Sequence, residues 1–305
     1  VIIPTYNRAH LIGETLDSII DQTHQNWECI IVDDHSSDNT DEVINNYMRA
    51  DKRFSYYKKP NHLPKGPSAS RNYGLTKAKG DYINWFDSDD LMHPEKMKID
   101  LKMINSGNYD FTISQSKFFT NDGAEPMKEF WNENLWSEDP INDFILMKVG
   151  WSVNAPLWSL DSIRENSLKF NEQLMTADDY LYHYESLKLN FYPIILNKNL
   201  TFIRDHNRRL NDFNLKAPSK ITANNKILLD IERAKLNKES INFLNNMTFK
   251  QICSILKKKK ISLYFKYLAM IIFSKHKTRT KVLSIIKLPF GLFYLATNKG
   301  YKLLN

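Results

Sequence analysis

Asp81-Tyr82-Ile83-Asn84-Trp85-Phe86 runs without a break into Asp87-Ser88-Asp89-Asp90. The first six residues have the aromatic and β-branched content of a strand, and Gly80 ahead of them is a natural end for the helical pattern of Ser68 to Lys79. Three carboxylates then fall within four residues. Carboxylates so crowded repel one another unless a proton or a cation relieves them. At a strand end they form a hard-oxygen site suited to Mg²⁺ or Mn²⁺, with coordination positions left open for phosphate oxygens. The same residues also suit an acidic turn leading into a helix with Pro94 at its first position.

The preceding residues alternate in the same way. Val1 to Pro4 is a short apolar strand followed by the polar cluster Thr5 to Arg8. Leu11, Ile12, Leu16, Ile19 and Ile20 recur at helical spacing over Leu11 to Asp21. Glu28 to Val32 is a second buried strand, ending in Asp33-Asp34. Ser36, Ser37 and Asp38 offer N-caps for the next helix, with Asp41 and Glu42 in its first turn. Phe54 to Lys58 reads as a third strand. Such alternation predicts an α/β fold, a mostly parallel sheet flanked by helices. Ligands of such sheets bind beyond the carboxyl ends of the strands. Here Thr5 to Arg8, Asp33-Asp34 and Asp87 to Asp90 all occupy such ends.

Each candidate residue has a plainer reading beside the chemical one. Asp34 can accept a hydrogen bond from a base or ribose hydroxyl, or simply start a turn. Arg71, at the start of the Ser68 helix with Asn72, can neutralise a diphosphate or sit on a solvated face.

Four segments taken together resemble the family 2 glycosyltransferases. They are Pro4-Thr5-Tyr6-Asn7-Arg8, Val32-Asp33-Asp34-His35-Ser36-Ser37-Asp38, Ser70-Arg71-Asn72-Tyr73-Gly74 and Asp87-Ser88-Asp89-Asp90, in that family's order and spacing. The resemblance is strong over 1–105 and looser over 106–215. It implies a GT-A (Rossmann-like) fold, a nucleoside-diphosphate sugar donor, a UDP-sugar by the family's habit, and inversion at the anomeric carbon. Carried over by position, Pro4 and Tyr6 line the nucleobase pocket, with Tyr6 stacked on the base and Asn7 and Arg8 in the same donor-binding segment. Asp34 reads the base edge, Arg71 lies near base or diphosphate, Asp87 and Ser88 hold ribose or sugar hydroxyls, and Asp89 ligates the metal.

The family's Glu-Asp pair, which carries the catalytic base ahead of a helix, corresponds to Asp178-Asp179, with Asp178 where Glu is usual. The resemblance makes Asp179 the base, with Asp178 as its substitute and an N-cap as the plain reading of either. Arg204-Asp205-His206, followed by Arg208-Arg209, resembles the family's late Arg-x-His segment, which places His206 near the diphosphate. Trp151-Ser152 and Trp158 fall where relatives bind acceptors, although buried aromatics read more simply as core.

The 305-residue chain is 42% apolar and 25% charged, which marks it as folded. Cys29 and Cys253 are far apart and outside any Cys/His cluster, so neither a disulfide framework nor a zinc site is expected. Both suit buried positions in a protein of a reducing compartment. The chain opens inside a strand pattern with neither an initiator Met nor a leader peptide, and further residues are expected before Val1. Net charge is +7, unevenly spread. From Lys216 to Asn305 nineteen Lys/Arg face three Asp/Glu, a balance of +16, so 1–215 carries −9. Two domains follow: 1–215, divided into a nucleotide-sugar part (1–105) and an acceptor part (106–215), and a basic helical region, 216–305. Within 257–296 four consecutive lysines precede two apolar stretches, each too interrupted to span a bilayer. Apolar faces among lysines suit the interface of an anionic membrane, or an ordinary helical subdomain. Nucleic acid is the weaker partner, since no known binding motif appears.

The resulting expectation is an inverting glycosyltransferase that acts on a glycan or lipid-linked acceptor at the inner face of the cell membrane, in surface polysaccharide synthesis. A catalytically silent glycan- or nucleotide-binding module is one rival. A nucleotidyltransferase is another, though Thr5 to Gly13 lacks the glycine-rich phosphate loop that chemistry favours.

Overall fold

The computed structural model describes residues 1–120, 129–205, 213–274, 276 and 278–297. The chain divides into two compact units. The first comprises Val1–Pro140, Val149–Gln173 and Glu185–Arg209, and the second Ile141–Lys148, Leu174–Tyr184 and Leu210–Asn305.

In the first unit β1 (Ile2–Thr5), α1 (Ile12–Ile20), β2 (Cys29–Asp33), α2 (Thr40–Ala50) and β3 (Phe54–Lys58) follow the predicted alternation. The strands form a parallel sheet in the order β1-β2-β3, with Thr5 opposite Asp33 and Asp33 opposite Lys58. β1 and β2 are apolar on both faces because both are covered. On one side Ile3, Ile31 and Phe54 pack with Ile12, Leu16, Ile19 and Ile44 of the helices. On the other lies α3 (Pro67–Leu75). A Cβ at Gly74 would come within 2.6 Å of Ile2 Cγ2, so this glycine sets how closely α3 lies on the sheet.

The deciding stretch is not one strand. β4 (Tyr82–Ile83) pairs antiparallel in the second sheet, whereas Trp85 bridges Ile2 of the first in parallel. The change of sheet occurs at Asn84, whose side chain turns inward to donate to the carbonyls of Asn154 and Pro156. Beyond it come β5 (Leu91–Met92), α4 (Lys96–Ile104), β6 (Phe111–Phe119), α5 (Pro140–Ile145), β7 (Trp158–Ser159), α6 (Leu160–Glu165), α7 (Asp178–Lys188) and β8 (Pro193–Arg204). The second sheet has the order β4-β7-β6-β8-β5. Its long pair, β6 with β8, is parallel, and the short strands pair antiparallel around it. The α/β reading with a mostly parallel sheet holds, with antiparallel edges.

Three helix boundaries differ from the sequence pattern. α4 starts at Lys96 rather than Pro94, because the Pro94 carbonyl accepts from the Thr23 amide and a tight turn joins His93 to Lys96. Gly80 does not cap α3, which ends at Leu75; Glu28 Oε1 accepts from the amides of Lys79 and Gly80 instead. Asn39, not one of residues 36–38, sits ahead of α2. Ser36 and Asp38 bind the first loop: Ser36 Oγ accepts from the Asn7 amide and Asp38 Oδ2 from that of Ala9. Burial would raise the Asp38 acid, but donors from Thr40 and Ala9 outweigh it and hold the carboxyl below its usual range.

The second unit contains α8 (Phe213–Leu229), α9 (Lys238–Lys257), α10 (Ile261–Ile272) and α11 (Thr278–Thr297). The helical reading of 216–305 therefore holds over its described residues. Ala217, Ile221, Ile252, Ile255, Leu256, Tyr264 and Ile271 form its core. The unit is not continuous in sequence: 141–148 and 174–184 belong to it, whereas a cut at 215 would leave both in the first domain. Asn142 ties the earlier segment in, its Oδ1 accepting from the amide of Asn237, the residue that caps α9.

Candidate active site

The polar ends of β1 and β2 and the 87–90 turn meet at one edge of the first unit's parallel sheet, as parallel pairing requires. Pro4 is buried in β1, while Tyr6, just beyond it, is 55% exposed. Asn7 has φ 52°, a left-handed conformation. It is held by its amide on Ser36 Oγ and by its Oδ1, which accepts from the Ser37 amide at 2.8 Å. Glycine apart, a short polar side chain capable of such local bonds tolerates that conformation best.

Asp33 and Asp34 have separate tasks. Asp33 is buried and structural, accepting from the Ser36 amide, the Ser36 hydroxyl and Tyr56 Oη. That leaves Asp34 to face the edge. Its Oδ2 accepts from the Gly66 amide at 2.6 Å, and its Oδ1 pairs with Lys59 Nζ at 2.5 Å. Lys59 is buried and also donates to the Pro64 carbonyl. Gly66, at φ 114°, shapes the approach to α3 in a backbone region that other residues rarely adopt.

The carboxylate cluster separates by direction. Asp87 Oδ1 receives Arg71 Nη2 at 2.6 Å, and Asp89 Oδ2 lies 3.5 Å from Arg8 Nη2. Arg71 is buried against the Phe170 ring, so it arrives as a fixed cation rather than a solvated one. Ser88 is buried between the two. Asp90 points inward, where it accepts from the Arg204 amide at 2.8 Å and from Asn154 Nδ2. Burial, then the charges of Asp89 and Asp87, push the Asp90 carboxyl well above the usual range. Asp90 is thus a scaffold group, and the two outer carboxylates remain for chemistry.

Asn154, which the sequence pattern did not single out, holds this edge together with Arg204 and Asn72, whose motifs the sequence showed without these structural roles. Asn154 accepts from the Asp87 amide at 3.0 Å, donates to Asp90 and presents its carbonyl to Asn84. Arg204 reaches Glu14 Oε2 at 2.8 Å and the Asp89 carbonyl at 2.8 Å. Asn72 bonds the main chain of Phe170 in both directions and Glu172 Oε1, which makes it a positioning residue. Asn154 does not stand out locally, and the roles of Arg204 and Asn72 rest on partners distant in sequence. Asn154→Ala should remove the acceptor of the Asp87 amide and one of the two donors to the Asp90 carboxylate. The expected cost is about 2–4 kcal/mol in urea unfolding. A loss below about 0.5 kcal/mol, the range of ordinary surface changes, would refute this role.

Asp178 and Asp179 open α7, in the second unit. Ala177 before them has φ 56°, a left-handed conformation uncommon for alanine. Asp178 is buried, and Asp179 is the more exposed of the two, with its Oδ1 accepting from the Tyr180 amide at 2.8 Å. His206, Arg208 and Arg209 lie outside the described residues. Trp151 and Trp158 are buried, Trp158 stacked on Phe111 at 4.3 Å, so the core reading of both is the correct one. Both cysteines are free and buried, as expected. Among the described residues no three His, Cys, Asp or Glu side chains converge as a metal cage.

The family described as Glycosyl transferase family 2 matches residues 1–157, the half of the chain that carries this edge. The chain belongs to family 2 of the glycosyltransferases. An uncharacterized glycosyltransferase of Rickettsia felis is 42% identical over 112 residues, covering 37% of this chain and 18% of that protein. The putative teichuronic acid biosynthesis glycosyltransferase TuaG of Bacillus subtilis is 32% identical over 149 residues, 48% of this chain and 58% of that one. The chain therefore spans less than two thirds of these relatives. Among solved structures, S. aureus TarS 1–349 in complex with UDP-GlcNAc matches at a TM-score of 0.68 and 20% identity, covering 99% of this chain and 89% of that one. The fold of this family 2 chain is accordingly GT-A.

Proposed function

We propose that the protein transfers a sugar from a UDP-sugar to a hydroxyl of a glycan or lipid-linked acceptor, inverting the anomeric carbon, in surface polysaccharide synthesis. The observation that carries this reading is the separation of the 87–90 cluster into an inward Asp90 and two outward carboxylates, each beside an arginine. Asp34, fixed by Lys59, and the exposed ring of Tyr6 lie on the same strand edge. TarS supports the donor class because its structure holds UDP-GlcNAc, and TuaG supports the pathway through its assignment to teichuronic acid biosynthesis.

Tyr6 offers a flat face to a nucleobase, and Asp34 an acceptor for its edge. The donor set also fits a divalent cation. Mg²⁺ and Mn²⁺ are commonly held by one or two carboxylates and completed by substrate phosphates, rather than by a full protein cage. Asp89 would hold the ion, with His206 as a candidate for the same diphosphate region. When bound, the ion would supply charge neutralisation to the departing diphosphate. Arg71 and Arg8 then hold the surrounding anions, Arg71 steadying Asp87 for the ribose and sugar hydroxyls. The acceptor oxygen forms its bond to the anomeric carbon as the bond from that carbon to the phosphate oxygen breaks. The electron pair leaves on UDP, and the hydroxyl proton passes to Asp179.

No helix among the described residues is long and apolar enough to cross a membrane. The reading places the chain peripherally on the inner membrane face, through 257–296.

The test is calorimetric titration of UDP with and without Mn²⁺, followed by a panel of UDP-sugars read for UDP release. Metal-dependent UDP binding and turnover of one donor are expected. Binding without turnover of any donor would favour a silent module, pyrophosphate release would favour a nucleotidyltransferase, and failure to bind UDP would overturn the donor assignment.

A further inference from the structure

Two apolar stretches in the basic region look alike in sequence, and the structure separates them. α10 turns most of its apolar residues inward: Tyr264, Leu268 and Ile271 are buried with Ile252, Ile255 and Leu256, and Phe265 is exposed. α11 packs Leu288 against that same core. Yet Val282, Ile285, Ile286, Phe290 and Leu292 remain 37–49% exposed. At 3.6 residues per turn these five fall within about 160° on one side of the helix, and Leu288 lies just past the stripe's Leu292 edge. Phe273, at the end of α10, is 89% exposed. Lys281 and Lys287 border the stripe on its two sides by the same periodicity, with Lys281 Nζ bonded to the Ser274 carbonyl.

The charge around this stripe has a single sign. From Lys250 to Asn305 there are thirteen Lys/Arg and no Asp or Glu. A second copy of the chain would bring the same cations against these, with no carboxylate in the segment to pair them. A nucleic acid would meet the cations but leave the aliphatic stripe in water. An anionic bilayer surface satisfies both, with phosphates for the lysines and the acyl boundary for the aliphatic side chains.

We propose that α11 is the membrane-binding element, lying in the plane of an anionic bilayer with its Val282–Ile285–Ile286–Phe290–Leu292 stripe embedded, while α10 serves as core. This deepens the peripheral placement above, which also rests on the catalytic reading, and it narrows 257–296 to one helix face.

The experiment is co-flotation of the full chain with vesicles of phosphatidylglycerol and phosphatidylethanolamine, against vesicles of phosphatidylcholine alone. Wild type should partition at least about tenfold better to the anionic vesicles and lose much of that advantage at high salt. Ile285→Glu/Ile286→Glu should lower partitioning by at least about tenfold while the circular dichroism spectrum is retained. The same change on α10, at the exposed Phe265, should lower it far less. Partitioning of the double variant equal to wild type would overturn the proposal. So would wild-type binding that ignores lipid charge. A concentration-dependent dimer broken by the double variant without vesicle binding would assign the face to a second copy, and tight RNA binding with the same sensitivity would assign it to nucleic acid. UDP calorimetry on the double variant separates the two readings: lost flotation with intact UDP binding concerns the membrane face alone, and absent UDP binding in wild type concerns the donor site alone.

Discussion

Asp89→Ala should abolish donor turnover and leave the fold in place. The substitution removes the group proposed to hold the divalent ion, and loss of that charge stabilisation is expected to lower kcat/KM by about a thousandfold or more, roughly 4 kcal/mol of transition-state stabilisation. Stability should change little, for two reasons visible at this position. The side chain is 16% exposed and its partner Arg8 more so, and ion pairs of that kind contribute about 0–1 kcal/mol. Arg204 bonds the main-chain carbonyl of residue 89, which alanine retains. UDP release in steady state, together with the melting temperature, reads both halves. Activity within tenfold of wild type would remove Asp89 from the proposed role. Asp90→Ala next to it should do the opposite, unfolding the edge by stripping acceptors from Arg204 and Asn154.

Asp179→Asn is the second large effect. Loss of a general base commonly lowers kcat by about 10²–10⁴-fold. Binding of the donor, to which Asp179 contributes nothing in the proposed scheme, should be unchanged. Asparagine keeps an oxygen for the Tyr180 amide, so α7 should start as before. Single-turnover rates with calorimetric UDP affinity distinguish this from a local collapse. Asp178→Asn provides the counterpart. Asp178 is buried, so its replacement should alter stability more than rate. The reverse pattern, with Asp178 governing kcat, would transfer the role to that residue.

The part of the candidate site legible in sequence is the part carried by single short segments. Tyr6, Asp34, Arg71, Asp87 and Asp89 each sit at a strand end or helix start that local pattern locates, and parallel pairing then brings those ends to one edge. What sequence could not give was direction. Three adjacent carboxylates look equivalent until Asn154 and the Arg204 amide draw Asp90 inward. Lys59 lies in a Lys-Lys-Pro run that reads as solvated surface, and only the position of Asp34 shows why it is buried. The strand over 81–86 looked continuous because the inward turn of Asn84 depends on carbonyls about seventy residues away. The interleaving of the second unit was hidden for the same reason. Residues 141–148 carry no compositional sign that their partners come from beyond 210.

That interleaving has a consequence for synthesis on the ribosome. Residues 141–148 and 174–184 emerge well before the helices they belong with, α8 to α11. At about 5–20 residues per second, the interval until those helices are complete is on the order of ten seconds. During that time Phe144, Ile145, Leu181 and Tyr182, all buried in the finished protein, have no completed core of their own. The nascent chain therefore passes through a stage in which the first unit can close while the segment bearing Asp179 waits, and that stage is where chaperone dependence and sensitivity to translation speed should concentrate.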